Sequence, residues 1–414
     1  MPRRLLFVES NTTGTGMLAL ETTRRLGLEP VFLTGDPGRY RGLSGTRAEV
    51  VGCDTNDTGE LLRAAARVPE LAGVTTTSEF YLHAVAEVAQ SLGLPGNPPE
   101  VVRLCRNKAD VRRALAIRGV HQPRFAEVRS PGEVPAAVAH TGSPYVLKPV
   151  DDSGSVNVRI CAGVPEGIAH AATILDVRIN TRGQPVAGAA LVEEYVTGAE
   201  FSVEMFSAGG LAQCAGITRK AVSPSPYCVE TGHIYPADVD AATGEALVDA
   251  ARAVLDATGV RFGPTHTELR LGPAGPVVIE LNCRLAGGMI PELVRLSTGV
   301  DLIEQQLRCA VGEPLHLPEP RTDRWAGIRF ITADRPGVFG GVTGIDQARQ
   351  HPGVVQAAVT MRPGTEVDRP RNAYDRIGYV IAAGDSPTVV TDALTATTLI
   401  EPILRDRRQT PQTH

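Results

Sequence analysis

Three side chains with hard oxygen donors fall on a predicted β-hairpin. Glu280 and Asn282 lie two residues apart, so the alternation of side chains along a strand puts both on one face. Glu268 lies on the preceding strand of the same hairpin, where its carboxylate can meet theirs. Carboxylate and amide oxygens suit Mg²⁺, which keeps several waters and shares phosphate oxygens. The pattern therefore predicts a magnesium site with Arg284 close behind it, and the alternative is a solvated strand face that happens to contain an Asn.

Two lysines are candidates for binding phosphate groups. Lys148 ends an apolar strand and precedes the polar loop 151–157, which is predicted to be a hairpin turn rich in backbone N–H and hydroxyl donors. Lys108 falls at the start of a predicted helix, where the helix dipole adds attraction for an anion. The loop residues predicted to contact phosphate are Ser153, Gly154 and Ser155. Either lysine taken alone is also typical of a solvated surface.

An acid-rich segment, 193–200, follows another apolar strand. Glu193 and Glu194 end that strand, and Glu200 follows the short link Thr197-Gly198-Ala199. Backbone groups at such a link can bind the edge of an adenine, and a later carboxylate can bind ribose hydroxyls. Ordinary surface acids are the alternative reading of this segment.

The order of these features resembles the ATP-grasp superfamily. A lysine, a second lysine with a Gly/Ser loop, an acidic hinge and Glu…Glu-x-Asn-x-Arg follow one another as they do in that superfamily. The resemblance is strongest to its carboxylate–amine ligases, which include L-amino acid ligases that make dipeptides. It covers nearly the whole chain and is most specific over residues 144–284. It implies ATP and Mg²⁺ as cofactors, with Mn²⁺ as a substitute metal, and an acyl phosphate that an amine attacks.

The resemblance also implies roles for individual residues. The nucleotide would be bound through its phosphates by Lys108 and Lys148, through adenine by the backbone of Glu194 and Val196, at the hinge by Glu193 and through ribose by Glu200. Two Mg²⁺ ions would be bound by Glu268, Glu280 and Asn282. Lys148 and Arg284 would be catalytic, with Arg284 stabilising the γ-phosphate during transfer and the acyl phosphate after it.

Several residues are predicted to contact the substrates. The segment 227–236 resembles the amino acid ligases, where Glu230 could pair with a substrate ammonium and His233 could orient a carboxylate or phosphate. A hydrogen-bonded structural histidine is the alternative for His233. Glu79 ends a predicted strand of the first domain and is a second candidate for an amine, or else an acid that favours a helix N-terminus. Gly287-Gly288 suggests a tight turn beside a substrate.

Two other functions stay open. Biotin-dependent carboxylases of this superfamily carry a Glu-His pair soon after Asn-x-Arg, whereas Arg284 is followed here by Leu285-Ala286-Gly287-Gly288-Met289. The base that would deprotonate bicarbonate is absent from that position, which disfavours carboxylation. The alternatives are therefore a carboxylase or purine-pathway ligase that uses bicarbonate or another small acid, and a nucleotide-binding protein without activity.

The elements that must position these side chains are predicted from apolar patterns. A strand over 4–8, the glycine turn 13–16 and helical spacing after it begin a βαβ rhythm, although the turn lacks Gly-x-Gly-x-x-Gly. The fold class is α/β and α+β, an ATP-grasp fold with an N-terminal Rossmann-like parallel sheet, a nucleotide lid and a catalytic domain. The predicted divisions are 1–98 (Rossmann-like domain), 99–134 (helical linker), 135–206 (small lid domain), 207–405 (large catalytic domain with a C-terminal lobe) and 406–414 (disordered tail).

Composition excludes several classes of protein. The 414 residues carry a net charge of −5, so there is no broad basic field for nucleic acid or an anionic membrane. Seven cysteines lie far apart without a Cys-x-x-Cys pair, which favours reduced thiols in a cytoplasmic protein. No stretch of about 20 apolar residues predicts a membrane span. The expected partners are small-molecule substrates, amino acids above all, and related ligases also suggest a homodimer.

Overall fold

The computed structural model describes residues 2–12, 15–223, 226–315, 317 and 323–406. Thr13 and Gly14 of the predicted glycine turn lie outside these ranges, as do residues 407–414 of the predicted disordered tail. In the part of the chain that is described, no helix is both long enough and apolar enough to cross a membrane.

The N-terminal domain contains a parallel sheet. Its strands are β1 (Arg4–Val8), β2 (Glu29–Thr34), β3 (Glu49–Gly52) and β4 (Leu71–Thr75), and its helices are α1 (Thr15–Arg25), α2 (Thr58–Ala65) and α3 (Leu82–Ser91). The strand order is β3-β2-β1-β4. Leu5 and Phe7 of β1 pack into one core and Leu6 and Val8 into another, because successive side chains of a strand point to opposite faces and both faces are covered. The predicted parallel-sheet domain is confirmed.

Two helices connect this domain to the next one. They are α4 (Pro99–Arg106) and α5 (Lys108–Ile117), and Asn107 lies between them. The Asn107 side chain accepts hydrogen bonds from the backbone N–H groups of Ala109 and Asp110, so it caps α5. This cap places Lys108 in the first turn of α5, as predicted.

The predicted lid domain is a small antiparallel sheet with two helices. Its elements are β5 (Phe125–Val128), α6 (Val134–Thr141), β6 (Tyr145–Pro149), β7 (Arg159–Cys161), α7 (Val164–Asp176) and β8 (Ala190–Glu194). The strand order is β5-β8-β6-β7. Strands β6 and β7 pair antiparallel, so the loop 151–157 joins neighbouring strands as predicted.

The domain that is predicted to be catalytic begins with a long antiparallel region. Its elements are β9 (Ala199–Ala208), β10 (Leu211–Val222), β11 (Glu230–Tyr235), α8 (Ala241–Thr258), β12 (Gly263–Gly272), β13 (Gly275–Asn282), α9 (Ile290–Thr298) and α10 (Leu302–Ala310). Helix α8 is capped by Asp240 at its start and by Gly259 (φ +79°) at its end. Its buried residues Leu247 and Ala251 pack with Val203, Leu269 and Val278 of the sheet. This packing supports the hairpin β12–β13 from behind.

The C-terminal lobe continues the same sheet. Its elements are β14 (Trp325–Thr332), β15 (Gly337–Thr343), α11 (Ile345–Gln350), β16 (Val354–Val359), β17 (Glu366–Val367), β18 (Arg376–Gly384), α12 (Pro387–Ala393) and β19 (Glu401–Arg405). Among the described strands, the large sheet has the order β13-β12-β9-β10-β11-β14-β18-β16, and β17-β15-β19 form a second sheet. One sheet therefore runs from the predicted metal hairpin into the C-terminal lobe.

The sheets disagree with two predicted domain boundaries. Strand β5 lies in the predicted helical linker 99–134, but it pairs with β8 of the lid. Strand β9 starts inside the predicted lid 135–206, but it pairs with β10 and β12 of the large sheet. Strand propensity does not reveal with which strand a segment pairs. The sequence therefore did not show to which domain β5 and β9 belong. We propose a lid of about residues 119–198 and a catalytic domain that starts at β9.

Candidate active site

A cleft of about 510 Å³ lies between the N-terminal domain, the lid and the large sheet. Every residue named above as a site candidate lines it, from Glu79 in the first domain to Gly288 beyond the hairpin. The structure therefore brings the predicted residues together, and their individual roles stay predictions. The following contacts define what each of them can do.

The predicted metal-binding residues lie side by side on β12 and β13. Glu268 is directly opposite Glu280, and His266 is directly opposite Asn282. All three predicted ligands therefore share one face of the hairpin, as strand alternation requires. Gly275, in the turn that joins the two strands, has φ +104°, a conformation that favours glycine. A register shift between Glu268 and Leu269, of the kind a β-bulge makes, then leaves Ile279 unpaired and brings Glu268 opposite Glu280.

The donor set fits Mg²⁺ that is shared with a nucleotide. Two carboxylates and an amide supply only hard oxygen donors, which Mg²⁺ prefers. Within the described ranges, no group of three or more His, Cys, Asp or Glu side chains is placed to hold a metal by itself. A metal here would therefore need phosphate oxygens and water to complete its octahedral shell.

Lysine side chains neutralise both acids of this set. Lys108 Nζ lies 3.6 Å from Glu280 Oε1. Lys220 Nζ lies 2.6 Å from Glu268 Oε1, and it also lies 2.5 Å from Glu230 Oε1 and 3.5 Å from Glu200 Oε1. We call Lys220 with Glu200, Glu230 and Glu268 the acid cluster. Burial would lower the pKa of Lys220, but the three carboxylates outweigh burial and hold it well above 10.5.

His266 lies between the acid cluster and a deeper carboxylate. Its Nδ1 lies 2.9 Å from Glu204 Oε1, and its Nε2 lies 3.1 Å from Glu268 Oε1. Burial lowers the pKa of His266, but Glu204 and Glu268 outweigh burial and raise it from 6.5 to about 9. The ring is therefore an imidazolium near neutral pH, and it orients the Glu268 carboxylate from behind.

Arg284 is held in place by Glu79. Arg284 Nε donates to Glu79 Oε2, and Arg106 Nη1 donates to Glu79 Oε1 at 2.7 Å. Burial would raise the pKa of Glu79, but Arg284 and Arg106 outweigh burial and lower it from 4.5 to about 2. Since both oxygens of Glu79 face guanidinium groups, this geometry favours a positioning role for Glu79 over the predicted contact with a substrate amine.

Lys148 belongs to a buried ion-pair network at the base of the lid. Its Nζ lies 2.7 Å from Glu193 Oε2, while Arg112 Nε donates to Glu193 Oε1 at 2.6 Å. Arg112 also donates to the carbonyls of Val278 (2.9 Å) and Ile279 (2.6 Å) on β13. Burial would raise the pKa of Glu193, but Arg112 and Lys148 lower it from 4.5 to about 2. The network thus joins α5, the predicted lid and the hairpin β12–β13.

Glu193→Gln is expected to destabilise the protein by on the order of 3–5 kcal/mol near pH 7, because two buried cations lose their counter-charge. The depressed pKa means that the wild-type stabilisation is complete above pH 4.5 and is lost as pH falls towards about 2. Urea unfolding should therefore show a difference between variant and wild type that shrinks across this window. The matched control is Glu194→Gln, whose side chain is 40% exposed beside Arg124; an equal loss in both variants would contradict the assignment.

The hinge segment is fixed by Arg270. Its Nη1 donates to the Val196 carbonyl at 2.7 Å, and its Nε and Nη2 donate to Glu200 Oε2 at 3.0 and 2.9 Å. The Glu194 amide donates to the Arg124 carbonyl at 2.9 Å. Both backbone positions predicted to bind adenine therefore already carry one hydrogen bond each. Arg270 also holds the carboxylate that is predicted to bind ribose.

The loop 151–157 is closed against the C-terminal lobe. Gly154 has φ +71°, and its carbonyl accepts a hydrogen bond from the Ala373 amide at 3.0 Å. A Cβ at Gly154 would lie 3.0 Å from the Tyr374 ring, so any larger residue would crowd this contact. Lys108 Nζ donates to the Asp152 carbonyl at 2.7 Å. The loop therefore covers the lysine that is predicted to bind phosphate.

Glu230 and His233, two of the residues predicted to contact substrate, lie beside Arg376 and Phe330 in the cleft. Arg376 Nη2 donates to Glu230 Oε2 at 2.8 Å and its guanidinium lies 3.7 Å from the Phe330 ring centroid. His233 Nε2 lies 3.6 Å from Glu230 Oε2, too far for a hydrogen bond, and both ring nitrogens are buried without a hydrogen-bond partner among the described residues. Burial lowers the pKa of His233 from 6.5 to about 3, so the ring is neutral.

The glycine pair has two different environments. A Cβ at Gly288 would lie 2.5 Å from His233 Nε2, and Gly288 has φ +58°, so this position requires glycine. Nothing lies within 4 Å of a Cβ built on Gly287. The predicted tight turn therefore lies against the ring of His233, and the histidine is not hydrogen-bonded as a structural histidine would be.

Sequence reasoning missed the basic residues that hold the predicted acids. Lys220, His266 and Arg270 lie on strands, and each has at least one acidic partner on another strand. One signal was available, since His266, Glu268 and Arg270 alternate along one strand with Thr265, Thr267 and Leu269. Such alternation shows that these side chains share a face, but it does not identify their partners.

Comparisons with known proteins cover most of the chain. The model described as "ATP-grasp N-terminal domain" matches residues 20–96, the one described as "ATP-grasp domain" matches 141–292, and the one described as "L-amino acid ligase C-terminal domain 2" matches 329–403. Among solved structures, the L-amino acid ligase from Bacillus licheniformis superimposes with a TM-score of 0.83 at 24% identity, covering 98% of this chain and 99% of that one.

Two sequence relatives are also informative. The uncharacterized protein y4rH of Sinorhizobium fredii is 36% identical over 387 residues, which are 93% of this chain and 79% of the relative. Carnosine synthase 1 of Gallus gallus is 32% identical over 293 residues, 66% of this chain. The match spans only 31% of that longer enzyme.

Proposed function

The chain belongs to the ATP-grasp family of carboxylate–amine ligases and is related to L-amino acid ligases, and from this we propose the reaction that it catalyses. A carboxylate, most simply that of an amino acid or a peptide, is phosphorylated by ATP to an acyl phosphate and is then coupled to an amine. The observation that carries the proposal is the hairpin face on which Glu268 is opposite Glu280, beside Asn282 and Arg284. It places acidic oxygens and a guanidinium in one cleft with two lysines.

The first half-reaction transfers the γ-phosphoryl group of ATP. A carboxylate oxygen of the substrate attacks the γ-phosphorus, the bond to the β-phosphate oxygen breaks and ADP leaves. Mg²⁺ bound by Glu268, Glu280 and Asn282 would neutralise phosphate charge. Such a transfer needs positioning and charge neutralisation more than covalent help. Lys108 and Lys148, which both line the cleft, would supply positive charges for the phosphates.

Arg284 is suited to stabilise the charge that develops during transfer. Its Nε is bound to Glu79 and its Nη1 donates to the Leu285 carbonyl at 2.9 Å. Its Nη2 faces Asn282 Oδ1 at 3.5 Å, which aims this edge of the guanidinium at the predicted metal-binding residues. A donor that is oriented before the reaction needs no reorganisation at the transition state.

The second half-reaction forms the C–N bond. The amine adds to the acyl carbon, phosphate leaves from that carbon, and one proton is released from the nitrogen. Water would compete with the amine for the same carbon, so the intermediate must be enclosed. The contact of Gly154 with Ala373 and Tyr374 closes the loop 151–157 over the cleft and supports this role.

The proposal predicts phosphate release that depends on two substrates. Purified protein with ATP and Mg²⁺ would be screened against pairs of amino acids, measuring ADP, phosphate and product mass. We expect stoichiometric ADP and a product that has lost one water relative to the pair, and omission of either amino acid should reduce ADP release. The control is Glu280→Ala, which reports contaminating ATPases. ADP release that depends on bicarbonate would instead support the carboxylase alternative, and nucleotide binding without turnover on any acid and amine would contradict a ligase.

A further inference from the structure

Lys220 has no role in the proposed reaction, yet it contacts three acids that line the cleft. It lies on β10, directly opposite Glu200 of β9 and His233 of β11. Its side chain is 1% exposed, and its ammonium contacts all three carboxylates of the acid cluster. The lysine therefore joins residues predicted to bind ribose, metal and substrate. The simplest alternative is that Lys220 only stabilises the fold through these ion pairs, and the experiment must distinguish this alternative from a role in binding.

The three acids do not depend on Lys220 equally. Glu200 has a second cation in Arg270, which donates two hydrogen bonds to it. Glu230 has a second cation in Arg376. Glu268 has His266 as its other partner, but the charge of that ring is shared with Glu204 at 2.9 Å. Lys220 is therefore the main counter-charge of Glu268, the acid that the proposed function places on the metal.

We propose that Lys220 makes divalent-metal binding depend on nucleotide. The Lys220 ammonium lies 2.6 Å from Glu268 Oε1, so a metal at this hairpin must compete with a fixed positive charge. Lys108 adds a second one near Glu280. This inference rests on the proposed function, since it takes Glu268 and Glu280 as metal ligands. Lys220 is thus a positioning residue that acts through Glu268.

Metal binding is expected to depend on nucleotide because of the sign of the charge around the hairpin. Two carboxylates that are each paired with an ammonium attract a dication weakly, because like charges repel strongly in a partly buried site. The phosphates of a nucleotide add several negative charges and supply the oxygens that complete the shell of the metal. Metal and nucleotide then enter together, which prevents the acids from holding a metal in a site without substrate.

The test measures Mn²⁺ binding by electron paramagnetic resonance, in which the signal of the free ion disappears on binding. Mn²⁺ would be titrated into the protein with and without ADP. We expect wild type to bind Mn²⁺ weakly alone and tightly with ADP. We expect Lys220→Met to bind Mn²⁺ alone at least tenfold more tightly than wild type does, with a much smaller difference when ADP is present. Lys220→Arg keeps the charge and should bind Mn²⁺ alone as weakly as wild type.

The matched control is Arg219→Met. Arg219 is the adjacent residue of β10, and it is exposed on the opposite face of the sheet. The substitution removes the same charge one residue away, so the affinity for Mn²⁺ alone should not change. An equal increase in Arg219→Met and Lys220→Met would assign the effect to net charge and overturn the proposal.

The remaining outcomes separate this inference from the proposed function. Unchanged or weaker binding of Mn²⁺ alone by Lys220→Met overturns the role of Lys220, while Mn²⁺ binding by wild type with ADP still supports the metal hairpin. Failure of wild type to bind Mn²⁺ with ADP contradicts the metal site itself. If Lys220→Met does not fold, wild type still carries the test, because tight binding of Mn²⁺ without nucleotide would overturn the proposal.

Discussion

Glu280→Ala is expected to lower turnover by several orders of magnitude while the protein stays folded. Glu280 lies near the end of β13, directly opposite Glu268, so its loss removes one of the two acids predicted to bind the metal. The fold should survive because the side chain is 23% exposed and its nearest cation, Lys108, is 3.6 Å away. Arg284, which Glu280 also helps to neutralise, keeps Glu79 as its counter-charge. The measurement is steady-state kinetics at saturating ATP and Mg²⁺, with thermal unfolding followed by circular dichroism.

The matched control for this prediction is Asp249→Ala. Asp249 lies on α8, which packs behind the same sheet, and its side chain is 71% exposed beside Arg252. The substitution removes an acidic side chain without touching the cleft, so turnover should stay near that of wild type. Near-normal turnover in Glu280→Ala would show that the metal lies elsewhere, whatever the stability of the variant.

Arg284→Ala should lower turnover by roughly 10²–10³-fold, because its guanidinium is proposed to stabilise charge that develops only during phosphoryl transfer. The affinity for ATP should change far less, since the ground-state phosphates keep Lys108 and Lys148. The measurements are the turnover number from initial rates and the dissociation constant for ATP from calorimetry. A loss confined to ATP affinity, with the turnover number unchanged, would contradict a transition-state role.

A second variant separates chemistry from folding at this position. Removing Arg284 leaves the buried Glu79 with Arg106 as its partner, so Arg284→Ala also has a stability cost. Arg284→Lys retains a positive charge beside Glu79 but loses the planar guanidinium group that faces both Glu79 and Asn282. We expect it to recover most of the stability and little of the turnover. Recovery of both in parallel would mean that Arg284 acts mainly by holding the fold.

Local pattern was sufficient for the elements that carry the hairpin. The period of two along a strand decides that Glu280 and Asn282 share a face, and the Gly-Pro-Ala-Gly turn decides which strand pairs with theirs. Both facts depend on neighbours within a few residues. The same holds for the Asn107 cap that starts α5 at Lys108. The ATP-grasp fold was recognisable because these local signals follow one another in a specific order.

Long-range pairing was not predictable from the chain. Strands β5 and β9 have ordinary strand sequences, and only the sheet to which each hydrogen-bonds decides its domain. Arg112 reaches Glu193 across 81 residues, and Lys220 reaches Glu268 across 48. A single sequence does not reveal whether a charged residue is paired with another protein group or with water. A lysine on the surface therefore cannot be distinguished, from sequence, from a buried lysine that neutralises an acid.

The amino-acid sequence by itself determined the parallel α/β domain at the start of the chain, the hairpin with its oxygen donors and the class of reaction to which they are suited. Only the tertiary structure decided that Glu79 holds Arg284, that Lys220 joins three acids and that His233 lies neutral against Gly288. The reason is that backbone preference and side-chain alternation act between near neighbours, whereas burial and ion pairing depend on which distant segments the folded core brings into contact.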